Sequence, residues 1–131
     1  EAFYGMSSCD MPNFLFLIGP NSGLSHTSII HMMESQYNYA LDFLKKLKKR
    51  PNSFLNLKSE VFQKFNMKIQ KKLSKMIWYT GGCKSWYISG QKKKNVTIWP
   101  ETTVSYRLKT RKVNLSDYNV VSIKRKSKNL K

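Results

Sequence analysis

Few side chains in this sequence have the types and spacing to do chemistry. His26 and His31 stand five apart on what reads as a helix, so they do not share a face as an i, i+4 metal pair would. No carboxylate pair or third ligand accompanies them. Neither a metal site nor a histidine general base is expected, and no catalytic residue is assigned. Cys9 and Cys83 lie far apart with no ligand pattern around them. One disulfide is open to them, but two unpaired thiols in a reducing compartment suit the spacing better. The more suggestive feature is Gly19-Pro20-Asn21-Ser22-Gly23, a turn between an apolar run and a helical pattern. A helix that starts after such a turn points its first N–H groups outward, and that end favours negative charge. The plainer alternative is that Gly19-Pro20 only breaks a strand while Ser22 or Ser25 caps a helix.

The elements that must hold this turn can be read from periodicity. Residues 13–18, Asn-Phe-Leu-Phe-Leu-Ile, form a short continuous apolar run closed by turn residues, which predicts a strand buried on both faces. From about 25 to 50, apolar residues recur at Ile29, Ile30, Met33, Tyr37, Ala40, Leu41, Leu44 and Leu47, the stripe of an amphipathic helix stopped by Pro51. After an extended piece at 54–58, a second helix is expected over about 59–78. Its stripe is Val61, Phe62, Phe65, Ile69, Leu73, Met76 and Ile77, and its opposite face is rich in lysine. Past Gly81-Gly82 the period changes. Residues 85–88, 96–99 and 104–108 are aromatic and β-branched, and they predict a hairpin block over 84–109. The basic stretch 122–131 is expected to be a disordered tail.

The 131 residues suit one domain, and 40% hydrophobic content supplies a core. A net charge of +17 draws polyanions. Twenty of the 24 basic residues are lysine, however, and only Arg50, Arg107, Arg111 and Arg125 carry the planar fork that reads phosphates and bases. Nucleic acid is therefore not the expected partner. No apolar run is long enough to span a bilayer and no secretory pattern is visible, so no membrane association and a cytoplasmic location are expected. The chain begins at Glu1 without Met, as a fragment or a processed protein would.

Two blocks resemble a known family. The first is Met11-Pro12-Asn13-Phe14-Leu15-Phe16-Leu17-Ile18-Gly19-Pro20-Asn21-Ser22-Gly23-Leu24, continuing to Glu34-Ser35-Gln36. It resembles the P-N-L-F…G-P-N-[ST]-x-L…E-x-Q segment of Baeyer–Villiger and related flavin-containing monooxygenases. The second, Trp78-Tyr79-Thr80-Gly81-Gly82-Cys83-Lys84-Ser85-Trp86-Tyr87, then Trp99-Pro100 and Asp117-Tyr118, is similar to their C-terminal W-x-x-G-G-C-x-S-W-Y…W-P…D-Y block. The order and spacing hold from about residue 10 to 118. Ser25 stands beside His26 where a glycine is usual, and Lys92-Lys93-Lys94 replaces a common Gly-Arg.

The resemblance implies an α+β fragment of an α/β flavoprotein with two dinucleotide-binding units, in which residues 1–121 are the C-terminal part of the monooxygenase domain. The fragment would hold one buried strand, two long amphipathic helices and the short-stranded hairpin block. It further implies that the helix end faces the pyrimidine edge of the flavin, with Ser25, His26 and Ile29 nearest the ring and Asn21, Ser22, Gly23 and Leu24 shaping the turn. Trp86 would contact the nicotinamide cofactor, although a core tryptophan in a hairpin explains it equally well. FAD and NADPH would be the cofactors, a small organic ketone or soft heteroatom compound the substrate, and the remaining dinucleotide-binding domains the partner. The two G-x-G-x-x-G turns that grip these cofactors are not found in this sequence, nor is the family's oxygen-side arginine. Tight binding of either cofactor and activity by the 131 residues alone are therefore not expected. A degenerate gene fragment without catalytic function and a basic nucleic-acid-binding module are the rival readings. The lone strand would lack sheet partners, which predicts exposed apolar surface on it and on the first helix.

Overall fold

The computed structural model describes residues 1–24, 28–77, 88–89 and 94–123. The fold is α+β. Helix α1 spans Ile29–Lys48, strand β1 Ser53–Leu57, helix α2 Ser59–Leu73, the short strands β2 and β3 Ile88–Ser89 and Lys94–Asn95, helix α3 Thr103–Lys109, and strand β4 Tyr118–Ser122. A 3-10 turn at Leu115–Asp117 leads into β4. Strands β1 and β4 pair antiparallel from Ser53↔Ser122 to Leu57↔Tyr118. Strands β2 and β3 form a second antiparallel pair with Ile88 opposite Asn95. The turn between them, residues 90–93, lies outside the described residues.

Helix α1 begins where Ser28 accepts a hydrogen bond from the Ile30 N–H, so neither Ser22 nor Ser25 is the cap. Lysines 45, 46 and 48 fill its last turn, where their charge complements the exposed carbonyls. Its buried residues are Met32, Ser35, Gln36, Tyr39 and Phe43, a set distinct from the apolar stripe expected from periodicity. Ile30, Tyr37, Leu41 and Leu44 of that stripe are 52–60% exposed. The helix carries apolar residues on two opposite faces, and the described residues cover only one of them.

Helix α2 ends at Leu73, short of the predicted 78. Ser74 turns its hydroxyl onto the Lys71 carbonyl, an alternative to continuing the helical ladder. It buries Asn66, Ile69 and Leu73 and leaves Lys64, Lys68, Lys71 and Lys75 in solvent.

Of the predicted strands, 96–99 is displaced to β3 at Lys94–Asn95, leaving only the isolated Ile98 bridge to Gly23, and two others are absent. Residues 13–18 form an irregular segment with Phe14, Leu17 and Ile18 exposed and with Asn13 and Ile18 at positive φ. A strand buried on both faces needs a neighbour on each edge, and this segment hydrogen-bonds with β1 only at Asn13, whose N–H donates to the Leu55 carbonyl and whose Oδ1 accepts the Leu55 N–H. Residues 104–108, expected as a strand, belong to α3. Thr102 caps that helix by accepting from the Ser105 N–H, and only Tyr106 of the alternating Val104, Tyr106, Leu108 set is buried. Strand β4, missed by periodicity, runs one residue into the expected tail, and Ile123 still donates to the Asn52 carbonyl at 2.6 Å.

Two apolar clusters form the core. Phe3, Met6, Tyr39, Phe43, Leu55, Leu57, Val113 and Tyr118 make the first. Met32, Ile69, Leu73, Ile98, Trp99 and Tyr106 make the second, with Tyr4 and Phe65 packed against both. The Tyr4 ring lies 4.7 Å from that of Phe65, and Trp99 meets Tyr106 edge-on at 5.0 Å. Beside Trp99, Glu101 accepts from Lys72, Lys109 and Ser105, tying α2 to α3. Partial burial alone would raise this carboxyl, but those hydrogen bonds outweigh it and take it from 4.5 down to about 2.

A carboxyl depressed on folding stabilises the fold above its unfolded value and loses that effect as it is protonated. Urea stability should therefore hold above pH 4.5 and fall as the pH drops toward 2. Glu101→Gln should flatten that fall, removing on the order of 1 kcal/mol at neutral pH once solvent screening is allowed for. Unfolding curves at a series of pH values check this, and an unchanged slope in the variant would remove Glu101 as the cause.

Candidate functional site

The glycine-rich turn is clipped onto the segment that follows β3. Gly23 donates to the Thr97 carbonyl at 2.8 Å, and the Trp99 N–H donates back to the Gly23 carbonyl at 2.8 Å, forming a parallel bridge. The Asn21 N–H reaches the Val96 carbonyl, and its side-chain Nδ2 donates to the carbonyls of Asn95 and Ile98 at 2.8 and 3.1 Å. Asn95 reciprocates by folding its own Oδ1 back to accept the N–H groups of Thr97 and Ile98. The first sequence block is thereby joined to the Trp99-Pro100 part of the second.

Two glycines are required by close approach. A Cβ on Gly23 would sit 2.8 Å from the Thr97 oxygen, and one on Gly19 would sit 2.5 Å from the Gly5 oxygen. Ser22, fully buried, donates to the Gly19 carbonyl at 2.6 Å and closes the turn on itself.

Gln36 anchors this turn. Its Oε1 accepts the Ile18 N–H at 2.8 Å, and its Nε2 donates to the Tyr106 hydroxyl at 3.0 Å. Tyr106 in turn donates to the Tyr4 carbonyl at 2.6 Å. Ile18 sits at φ 53°, a left-handed conformation that a β-branched residue adopts only when its surroundings impose it. A second buried chain of hydroxyls runs from Tyr39 to Tyr118 at 2.8 Å and on to Ser7 at 3.0 Å. Burial raises the Tyr39 and Tyr118 hydroxyls above the usual phenol range, so both are neutral donors and acceptors.

Of the expected cofactor-facing residues, Asn21, Ser22 and Gly23 are therefore brought together in one turn whose polar groups are largely spent on the fold. The Asn21 Oδ1 is the exception, buried with no hydrogen-bond partner among the described residues. Leu24 packs against the second core cluster. Ile29, at the start of α1, is 38% exposed. Ser25, His26 and Trp86 lie outside the described residues, as do Trp78 and Cys83. Cys9 is a half-buried free thiol. His31 is exposed on α1, 3.8 Å from Glu34. Among the described residues no three His, Cys, Asp or Glu side chains gather to hold a metal ion, and no helix is long and apolar enough to cross a membrane. Gln36 entered the sequence reading only as part of the family's E-x-Q motif, and Tyr106 only within an expected strand. The signal for Gln36 is a glutamine at the 32, 36, 39, 43 spacing of the buried face.

No protein-family model matches the chain. Individual relatives do. The chain is 41% identical over 122 residues to a Baeyer–Villiger monooxygenase of Pseudomonas aeruginosa and 38% identical over 122 residues to one of Streptomyces coelicolor. It is 32% identical to an FAD-binding monooxygenase of Aspergillus niger. These matches take in 93%, 92% and 90% of this chain but only 23%, 23% and 20% of the relatives. The chain is thus homologous to one portion of the flavin-dependent monooxygenases. Two of these relatives are Baeyer–Villiger monooxygenases, and the chain spans under a quarter of their length.

Replacing Gln36 with Leu keeps the volume but leaves the Ile18 N–H without its partner and the Tyr106 hydroxyl with only its bond to the Tyr4 carbonyl. Gln36→Leu should cost roughly 1–3 kcal/mol, the penalty for one orphaned donor. Chemical denaturation gives the total, and amide hydrogen exchange at Ile18 should accelerate more than exchange in β1. Equal acceleration at both would show that Gln36 does not hold the turn in particular.

Proposed function

We propose that the chain is the C-terminal part of an FAD- and NADPH-dependent Baeyer–Villiger monooxygenase that acts on a small ketone or soft heteroatom compound in the cytoplasm. The observation that carries this is the likeness to two Baeyer–Villiger monooxygenases over more than nine-tenths of the chain. Bound FAD supplies the redox and oxygen chemistry of such an enzyme. The residues present fit one edge of the flavin rather than the whole dinucleotide. Helix α1 has 20 residues and no acidic side chain in its first turn, so its N-terminal N–H groups keep their preference for negative charge. The sequence holds no G-x-G-x-x-G turn to cradle a pyrophosphate.

In this reading Asn21, Ser22, Gly23 and Leu24 set where α1 starts, while Ser25, His26 and Ile29 meet the pyrimidine edge. The close contacts of Gly19 and Gly23 support a turn kept rigid for that purpose. Trp86 packs against the nicotinamide of NADPH. None of these side chains exchanges a proton with substrate. Their work is orientation and electrostatics.

The DNA preceding the Glu1 codon provides the first test. An open frame encoding two G-x-G-x-x-G turns is expected, and its full-length product should carry FAD, whereas the 131 residues alone should not retain it. A stop codon immediately upstream would instead leave a degenerate fragment. In the full-length protein, Trp86→Ala should raise the KM for NADPH roughly tenfold with FAD content unchanged. Steady-state NADPH oxidation measures this, and an unaltered KM would return Trp86 to a core role.

A further inference from the structure

Helix α1 leaves a stripe of large apolar side chains in solvent, and the stripe continues on both sides of the helix. On one side a groove of about 380 Å³ is lined by Phe14, Leu17, Tyr37 and Leu44. On the other a groove of about 640 Å³ is lined by Leu41, Val104 and Leu108 together with Lys45, Arg107 and Arg111. Phe14 and Leu17 are 45% and 44% exposed, Leu41 and Leu44 53% and 56%, and Val104 and Leu108 66% and 67%. One continuous band thus runs from residues 14–18 across α1 to α3. Tyr37, Leu41 and Leu44 are spaced four and three apart, which places them in one row along the helix. Scattered surface apolar residues are ordinary, but a row flanked by an apolar groove on one side and a partly apolar, basic one on the other marks a surface that is covered in the working protein.

The edge beside α3 is basic. Lys45, Arg107 and Arg111 make no ion pair among the described residues. Asp42, in the same groove, is already held by Lys46 and the Val113 N–H. The partner that fits is therefore apolar in its middle and acidic along one edge. A second copy of this chain does not meet that description, because two bodies of net charge +17 repel.

We propose that this band is the seat of the remaining three-quarters or so of the monooxygenase, which presents an apolar surface to α1 and acidic side chains to Arg107 and Arg111. The occupant is argued from length and charge. The chain covers 23% of the Pseudomonas aeruginosa relative, and the band begins within the same Phe14–Leu24 block that the family shares. This inference rests on the functional reading above, and its test can fail separately from it.

The experiment substitutes this chain for its matching segment in the Pseudomonas aeruginosa relative and measures iodoacetamide labelling of single cysteines. The background is Cys9→Ser with Cys83→Ser and cysteine-free elsewhere, and each rate is divided by the rate for the same protein unfolded in urea. Leu41→Cys and Leu108→Cys report on the band. Met67→Cys reports on the lysine-rich face of α2, where Met67 is 67% exposed. In the chimera, Leu41→Cys and Leu108→Cys should label at least roughly tenfold more slowly than Met67→Cys. Arg107→Glu with Arg111→Glu should restore their labelling, while Lys64→Glu with Lys68→Glu, the same change of charge on α2, should not. Equal labelling at Leu41→Cys and Met67→Cys in the chimera overturns the proposal. So does concentration-dependent protection of Leu41→Cys in the 131-residue chain alone, which would make the occupant a second copy. So does protection of that chain only by anionic phosphatidylserine vesicles, which would make it a membrane. Loss of FAD from a chimera whose band is still protected would instead count against the functional reading and leave the docking surface in place.

Discussion

The structure depends on one buried amide. Gln36 has no solvent exposure, so every polar atom it carries must be satisfied from within the chain. It meets that demand by joining three segments far apart in sequence: the irregular stretch ending at Ile18, helix α1 itself, and α3 through Tyr106. Tyr106 passes the connection on to the backbone of Tyr4, whose ring sits between the two core clusters. An apolar residue at position 36 could fill the space but could not specify which backbone N–H faces it. The left-handed Ile18 and the tight Gly19–Gly5 approach follow from that choice, and so does the place where the glycine-rich turn meets residues 95–99. The family's E-x-Q motif acquires a physical meaning here: Glu34 is exposed, whereas Gln36 fixes the turn from behind.

Helix α1 also leaves much of its own apolar surface open to water. Its inner face buries Met32, Tyr39 and Phe43, while its outer face offers Ile30, Tyr37, Leu41 and Leu44 to water. A helix apolar on two sides belongs in the middle of a layered protein rather than on its surface. The same holds for residues 14–18, whose composition suits an interior strand and which belong to neither described sheet. Exposed apolar surface on both elements is thus one phenomenon, and it accords with a chain spanning under a quarter of its relatives.

Where sequence reasoning succeeded and failed follows from whether a signal was local. The two long helices were legible because 3.6-residue periodicity persists over several turns, and the expected exposure on α1 was legible from the missing partners. The inner face of α1 was not, because Met32, Gln36, Tyr39 and Phe43 form a weaker stripe than the one facing outward. Residues 104–108 alternate like a strand, and the deciding feature was a single capping threonine at 102. Strand β4 was hidden because Asn119, Val120 and Val121 show no alternation, and its pairing with β1 spans more than sixty positions of chain. For the turn, the motif indicated which residues gather at positions 19–23, but their partners at 95–99 are set by tertiary contacts alone.

That division bears on what the turn can do. Asn21 and Ser22 look from sequence like side chains offered to a ligand, yet the structure spends Asn21 Nδ2 on two carbonyls and the Ser22 hydroxyl on Gly19. A side chain committed to the fold cannot also recognise a cofactor without giving up a hydrogen bond worth about 1 kcal/mol. Its contribution to a flavin site would be geometric, holding the start of α1 at a fixed distance from segment 95–99. Electrostatic preference would then come from the backbone N–H groups of α1, which cost no side-chain entropy and need no particular residue type. Such a site tolerates Ser25 in place of the family's usual glycine more readily than it tolerates a change at Gly23, where any Cβ meets the Thr97 carbonyl. The residues most constrained in this chain are therefore those that aim the helix, not those that would touch what it is aimed at.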